Sequence, residues 1–282
     1  MQDVSEIDWN EVWKAREREK KAQEAGVSCA ERWSDPGRCR KFNQGVKEDN
    51  WKDARERINA MKIAPDSRVL DIGAGPGTLA IPLAGMVRQV TAVEPSAGML
   101  ECLHENIREH DIHNITTLRK KWEDVDPRTD LDPRYDVVVA SYSLGVSDLR
   151  AALEKMDAVT RKYVYIFWFA DLLSPRHRQY LAIWEDLFGK QPEPNRTPNI
   201  IFNLLCQMGI FANVEISRTD RTLRFSSLKE AVDDQRELLR LRDDTQVAVL
   251  ERFLKKTLMR ENGQYILKEQ AFQAKIWWEK ES

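Results

Sequence analysis

The chain has 282 residues, 42% of them hydrophobic and 32% charged, a globular composition that excludes a disordered chain and suffices for one large core with appendages. Its longest apolar runs, such as Val137 to Ala140 and Tyr163 to Ala170, fall far short of the ~20 residues that span a membrane, and the acidic Met1-Gln2-Asp3-Val4-Ser5-Glu6 lacks the apolar core of a secretory signal, so a cytoplasmic protein with no membrane partner is expected. A formal net charge of -2 gives no global attraction to nucleic acid, though a local basic face remains compatible with an RNA substrate.

In chain order, Asp8 stands three residues before Glu11 with Ile7 and Val12 about it. This capping box with a hydrophobic staple predicts a helix through about Gln23. Ser34-Asp35-Pro36-Gly37 reads as a turn. A second helix is expected over Trp51 to Met61, with Ile58 and Met61 on one face, before Pro65-Asp66 breaks it. Residues 1–60 thus read as a charged helical extension or lid, and 61–282 as the main domain.

From Arg68 the texture changes to short apolar strands alternating with amphipathic helices. Strands are expected at Ser67–Ile72, Gln89–Glu94, Asn114–Leu118, Tyr135–Ala140 and Tyr163–Trp168. Helices run to Ala84, from the Ser96 cap to about His110, and near Val146 to Val159. This rhythm predicts an α/β fold: a Rossmann-like, doubly wound, mostly parallel seven-stranded sheet with helical insertions at about 170–196 and 227–260. Thr197-Pro198 opens a helix that Gly209 stops. Phe211–Ser217 is a sixth strand. Ser227 and Glu230 form a capping box opening helical material to about Met259, with Leu250, Phe253, Leu254 and Leu258 on one face. Ala271–Trp278 is the last strand. Cys29, Cys39, Cys102 and Cys206 include no CxxC pair, so neither a metal centre nor a disulfide framework is expected.

The best local signal is Val69-Leu70-Asp71-Ile72-Gly73-Ala74-Gly75-Pro76-Gly77. Glycines after a strand let the backbone turn sharply and approach a ligand where a Cβ would collide. The next strand ends in Glu94, whose carboxylate can accept both hydroxyls of a ribose. A nicotinamide-binding unit would also carry such an acid, but Thr78 occupies the place of its third glycine. Asp71 would further disfavour a pyrophosphate while suiting a cationic cofactor that carries an amino acid.

These residues resemble the first motif of class I S-adenosylmethionine-dependent methyltransferases. Val90 to Leu100 is similar to their second motif, Trp122-Glu123-Asp124 to their adenine-contacting loop, and Tyr135 to Ser141 to the strand bordering the methyl group. The resemblance covers about residues 60–170 and leans to the small-molecule, ubiquinone/menaquinone C-methyltransferase-like branch. It implies S-adenosyl-L-methionine as cofactor, with Asp71, Gly73 and Gly75 at its methionine end and Ala74 and Gly77 also binding it. Glu94 would lie at the ribose and Trp122 and Glu123 at the adenine, with Pro95 and Ser141 also binding the cofactor. Lys121 departs from the acidic residue common in relatives.

The acceptor is less legible. Methyl transfer needs positioning and desolvation, with a general base only where the acceptor must lose a proton. Ser141-Tyr142-Ser143-Leu144 is neither an Asn/Asp-Pro-Pro-Tyr/Phe segment nor a source of the cysteine used for pyrimidine C5 methylation. A small-molecule acceptor is therefore expected, with tRNA or protein, or a catalytically silent partner protein, as alternatives. Tyr142 and His177 are weak catalytic candidates, and Tyr142, Trp168 and Phe169 candidate acceptor contacts. Tyr142 fits equally as a cleft wall, and His177, between Arg176 and Arg178, fits a solvated position. Trp33–Trp51 and Phe167–Trp184 are expected to cover the substrate, while Tyr180 and Trp184, one helical turn apart, fit a buried face. Oligomeric state leaves no mark on the sequence.

Overall fold

The computed structural model describes residues 7–23, 33–132, 134–170, 178–192 and 197–280. These form two compact units. The first comprises residues up to Trp168 with Pro198–Glu215 and Lys275 onward; the second comprises Phe169–Thr197 and Ile216–Ala274.

The first unit opens with α1 (Trp9–Gln23). Asp8 caps it as its sequence position requires, accepting from the amides of Asn10 (2.9 Å) and Glu11 (3.2 Å). The expected turn at Ser34–Gly37 is instead the start of a helix, α2 (Pro36–Glu48). Asp35 accepts from the Arg38 amide and Pro36 takes the first helical position. The residues of a turn are also those of a helix start, and Gly37 and Gly45 hide the helix that follows. Helix α3 (Lys52–Asn59) buries Ala54, Arg57 and Ile58.

The Rossmann-like core follows in the expected order: β1 (Arg68–Ile72), α4 (Ala80–Ala84), β2 (Gln89–Val93), α5 (Ala97–Glu109) and β3 (Ile115–Leu118). After a short turn at Trp122–Asp124 come β4 (Tyr135–Ser141), α6 (Leu149–Val159) and β5 (Thr160–Phe169). Strand β1 pairs in parallel with β2 and β4, β2 with β3, and β4 with β5. Every residue from Tyr135 to Ala140 is buried, as a central strand covered on both faces demands. Trp51, Ile58, Val69, Leu79, Leu83, Val90, Leu103, Val137, Val139 and Phe167 share one core cluster.

The remaining elements are α7 (Trp184–Phe188), α8 (Thr197–Gln207), β6 (Asn213–Phe225), α9 (Leu228–Leu239), α10 (Asp244–Thr257), β7 (Met259–Glu261) and β8 (Gln264–Glu279). The sheet order is β3-β2-β1-β4-β5-β8-β6, with β7 paired to β8, so it has eight strands where seven are expected. The extra strand comes from a hairpin at Asn262-Gly263, whose φ values of +50° and +78° suit the tight turn that Asn-Gly favours. The 227–260 segment is two helices, divided at Arg240 (φ +57°). The second unit has its own core of Tyr180, Trp184, Leu187, Leu239, Leu250, Leu254 and Leu267, and the Tyr180 hydroxyl donates to Gln235 Oε1 at 2.7 Å. Among the described residues no helix is long and apolar enough to cross a membrane.

Candidate functional site

Strand order reverses beside β1, between β2 and β4, which makes the carboxyl ends of these strands the natural ligand cleft. The chain leaves β1 through Gly73, whose amide donates to Val93 O (2.7 Å), as does that of Ala74 (3.1 Å). Gly73, Gly75 and Gly77 all take the left-handed conformation, at φ +72°, +58° and +87°, which is open to glycine at no steric cost. Beyond that their environments differ. A Cβ on Gly73 would stand 2.2 Å from Ser143 Cβ, and one on Gly77 2.5 Å from Leu103 Cδ1. A Cβ on Gly75 would meet nothing within 4 Å. The outer glycines therefore permit packing, and the middle one faces open space.

Glu94, 6% exposed, faces this turn. One carboxylate oxygen accepts from the Gly75 amide (2.9 Å) and the other from the Ser96 amide (2.8 Å). Burial pushes its carboxyl above the ordinary range, against those two amides. Each oxygen keeps a lone pair. Pro95 follows, half-buried, and Ser96 caps α5 by accepting from Met99 N. Asp71, 2% exposed, is raised to about 7, first by burial and then by the charge of Glu94, while Arg57 and the Ala80 amide pull it down. Its Oδ2 has no hydrogen-bond partner. The turn itself is braced from α5, where buried Asn106 donates to Pro76 O and to Asn43 of α2, both at 2.8 Å.

Across β1, Ser141 ends β4 opposite Phe167 of β5. Tyr142 then turns left-handed at φ +56°, its amide donating to Phe167 O at 2.9 Å. Trp168 is half-buried and Phe169 is 39% exposed at the end of β5. The sequence reading missed Arg57, which is 8% exposed and whose Cζ lies 5.6 Å from the centroid of the Tyr142 ring. A signal for it existed: Arg57 falls on the stripe of Ala54, Ile58 and Met61 that faces the core.

The resemblance implies adenine contacts for Trp122 and Glu123, and here the structure draws the side chains into other work. Trp122 is 5% exposed, its indole N–H donating to Ala152 O of α6 at 3.2 Å. Lys155 covers its ring and donates to the carbonyls of Trp122, Glu123 and Val125 at 2.7–3.0 Å. Glu123 accepts from the Ser147 amide at 2.7 Å. The loop from β4 to α6 is held in turn by α1: the buried Trp13 indole donates to Val146 O (2.8 Å) and Asn10 to Asp148 (3.1 Å). His177 lies outside the described residues. No group of three or more His, Cys, Asp or Glu poised for a metal ion occurs among those described.

The residues fit a cationic ligand that carries a ribose. An orphan carboxylate oxygen lies buried at Asp71, open space lies over Gly75, and Glu94 retains acceptor capacity.

Residues 69–163 match the family described as "Methyltransferase domain". An uncharacterized protein of Haemophilus influenzae is 36% identical over 166 residues, 59% of either chain, so the chain spans less than two thirds of the length of the curated relatives it matches. A 23S rRNA uracil C5-methyltransferase, RlmD, of Pseudomonas savastanoi is 46% identical over 52 residues, 18% of this chain and 12% of that protein. Among solved structures, a cyclopropane-fatty-acyl-phospholipid synthase-like protein of Lactobacillus casei superposes with a TM-score of 0.51 at 18% identity, covering 83% of this chain and 92% of that one. Precorrin-6y C5,15-methyltransferase of Geobacter metallireducens gives 0.50 at 12% identity, covering 80% and 87%. The match to a methyltransferase domain extends over residues 69–163, and the chain shares the fold of these solved structures.

Proposed function

We propose that the protein transfers a methyl group from S-adenosylmethionine to a small-molecule acceptor by in-line displacement. The observation that carries this reading is the buried Asp71 with its unpartnered Oδ2 beside Glu94 and the open face of Gly75. When bound, the cofactor supplies an electrophilic methyl on a sulfonium sulfur. Asp71 holds the ammonium of its amino-acid end, and Glu94 accepts from the ribose while keeping its two amide bonds. Ala74 and Pro95 line the cradle, and Ser141 borders the methyl. Trp122 and Glu123 contribute backbone to the adenine side, since their side chains are engaged with Ala152 and Ser147. Tyr142, Trp168 and Phe169 contact the acceptor, and residues 1–60 act as a lid whose seat is the α1 contact with Val146 and Asp148. The chain contributes orientation and exclusion of water, the main requirements of such a displacement.

A small acceptor is favoured by the loop after β4, which lacks both a planar-nitrogen motif and a cysteine. The described buried thiols, Cys39 and Cys102, are pushed up by burial and are poor nucleophiles. An RNA acceptor draws on the local identity to RlmD. Thermal shift separates the readings: S-adenosylmethionine and S-adenosylhomocysteine are expected to raise Tm by mass action and NADH to leave it unchanged. Stabilisation by NADH alone would reject the cofactor assignment. A salt-sensitive RNA gel shift would favour the RNA acceptor, and a metabolite extract with labelled cofactor would report the small one.

A further inference from the structure

Helix α3 carries a cation where its apolar stripe should continue. Arg57 is 8% exposed and its Nε has no hydrogen-bond partner, an arrangement that is costly unless another charge compensates. The compensation in place is incomplete. Arg57 acts electrostatically on Asp71, yet Asp71 Oδ2 is likewise without a partner. The guanidinium lies over the Tyr142 ring, its Cζ 5.6 Å from the ring centroid, a cation–π distance. Tyr142 is itself fixed in a left-handed conformation that disfavours a bulky side chain, pinned by its amide bond to Phe167 O. One buried cation and one buried anion, each with an unsatisfied polar atom, complement a ligand bearing both a carboxylate and an ammonium.

We propose that Arg57, seated on the Tyr142 ring, is a specificity-determining residue that takes the carboxylate of the ligand's amino-acid end while Asp71 takes its ammonium. The planar fork of arginine suits a carboxylate, and the strain at Tyr142 preorganises that fork before the ligand arrives. The proposal rests on the cofactor reading above and adds to it a residue outside the glycine turn, together with its aromatic seat.

Isothermal titration with two ligands tests it. S-adenosylhomocysteine carries the amino-acid end; 5′-methylthioadenosine keeps the nucleoside and the thioether but lacks that end. Wild type is expected to prefer S-adenosylhomocysteine. Arg57→Ala should weaken that ligand by about 10- to 100-fold, the range of a hydrogen bond to a charged group, and leave 5′-methylthioadenosine within about twofold. Arg57→Lys should fall between, because the charge remains without the fork. Tyr142→Phe should bind like wild type, and Tyr142→Ala should lose S-adenosylhomocysteine selectively. Equal weakening of both ligands in Arg57→Ala, or none of either, overturns the proposal while leaving the cofactor reading intact. Failure of wild type to bind either ligand overturns both. Should Arg57→Ala not fold, Arg57→Lys decides: unchanged discrimination between the two ligands overturns the proposal.

Discussion

The glycine turn at Asp71–Gly77 and the turn at Trp122–Asp124 both follow strands of the same sheet, and they treat their polar atoms in opposite ways. At the second, the side chains of Trp122 and Glu123 are engaged within the protein, the indole on Ala152 and the carboxylate on Ser147, and Lys155 takes the carbonyls of Trp122, Glu123 and Val125. At the glycine turn a buried carboxylate oxygen and a buried guanidinium nitrogen are left over, and the space above Gly75 is open. Buried polar groups in folded proteins are nearly always paired, so the second pattern marks a place that awaits a partner. The first marks a scaffold. Changes at the glycine turn should therefore move ligand affinity, and changes at Trp122–Asp124 should move stability.

The largest effect is expected for Gly73→Ala. A Cβ there meets Ser143 at 2.2 Å with φ at +72°, so overpacking and strain add, costing about 3 kcal/mol or more in urea unfolding and eliminating S-adenosylhomocysteine binding. Gly75→Ala, which meets nothing, should cost only about 1–2 kcal/mol of conformational strain. Equal destabilisation by the two would break the distinction between packing glycine and ligand-facing glycine.

Glu94→Ala comes next. It removes the acceptor of two amides and the proposed ribose contact, and is expected to weaken S-adenosylhomocysteine by about 1.5–3 kcal/mol in titration calorimetry. Normal binding by both Glu94→Ala and Asp71→Ala would remove the site from this turn altogether.

Asp71 gives a pH dependence. Its carboxyl, raised to about 7, is largely neutral at pH 6 and cannot hold an ammonium there, so affinity for S-adenosylhomocysteine should rise from pH 6 to pH 8. The rise is bounded at about tenfold per pH unit. The ligand-free protein responds with the opposite sign. A carboxyl raised on folding contributes stability below its unfolded value near 4, and that contribution is lost as pH climbs through 7. Asp71→Asn should flatten both profiles; a wild-type affinity that is flat across this range would contradict the role given to Asp71.

The smallest effect on binding belongs to Lys155→Met. Three carbonyls lose a donor, which should cost about 1–2 kcal/mol of stability while S-adenosylhomocysteine affinity stays within about twofold. A selective loss of affinity would show that Lys155 positions the Trp122 and Glu123 backbone for the ligand and would erase the contrast.

Much of this was legible in the sequence. The strand–helix alternation from Arg68 to Trp168, the glycine turn and Glu94 at the end of β2 all stand where their patterns put them. What escaped had specific causes. Asp35-Pro36-Gly37 serves a turn and a helix start alike, so α2 stayed hidden. The Asn262-Gly263 hairpin adds a three-residue strand too short to show periodicity, although the dipeptide is a turn former. Strand β6 runs on to Phe225 through Arg218-Thr219-Asp220-Arg221, where an edge strand with its described residues from Asn213 to Arg218 exposed needs no apolar alternation.

The sequence by itself determined the glycine turn, because a left-handed backbone at Gly73, Gly75 and Gly77 is a local demand that only glycine meets without strain. The carboxylate of Glu94 follows that turn at the end of a short strand and is likewise read from spacing. Only the tertiary structure decided that Arg57 of α3 lies against Tyr142 beyond β4, and that the side chain of Trp122 turns away to α6. Such pairings join residues far apart in the chain, and they arise from which helix packs on which strand end, a choice fixed by the whole core rather than by any local pattern.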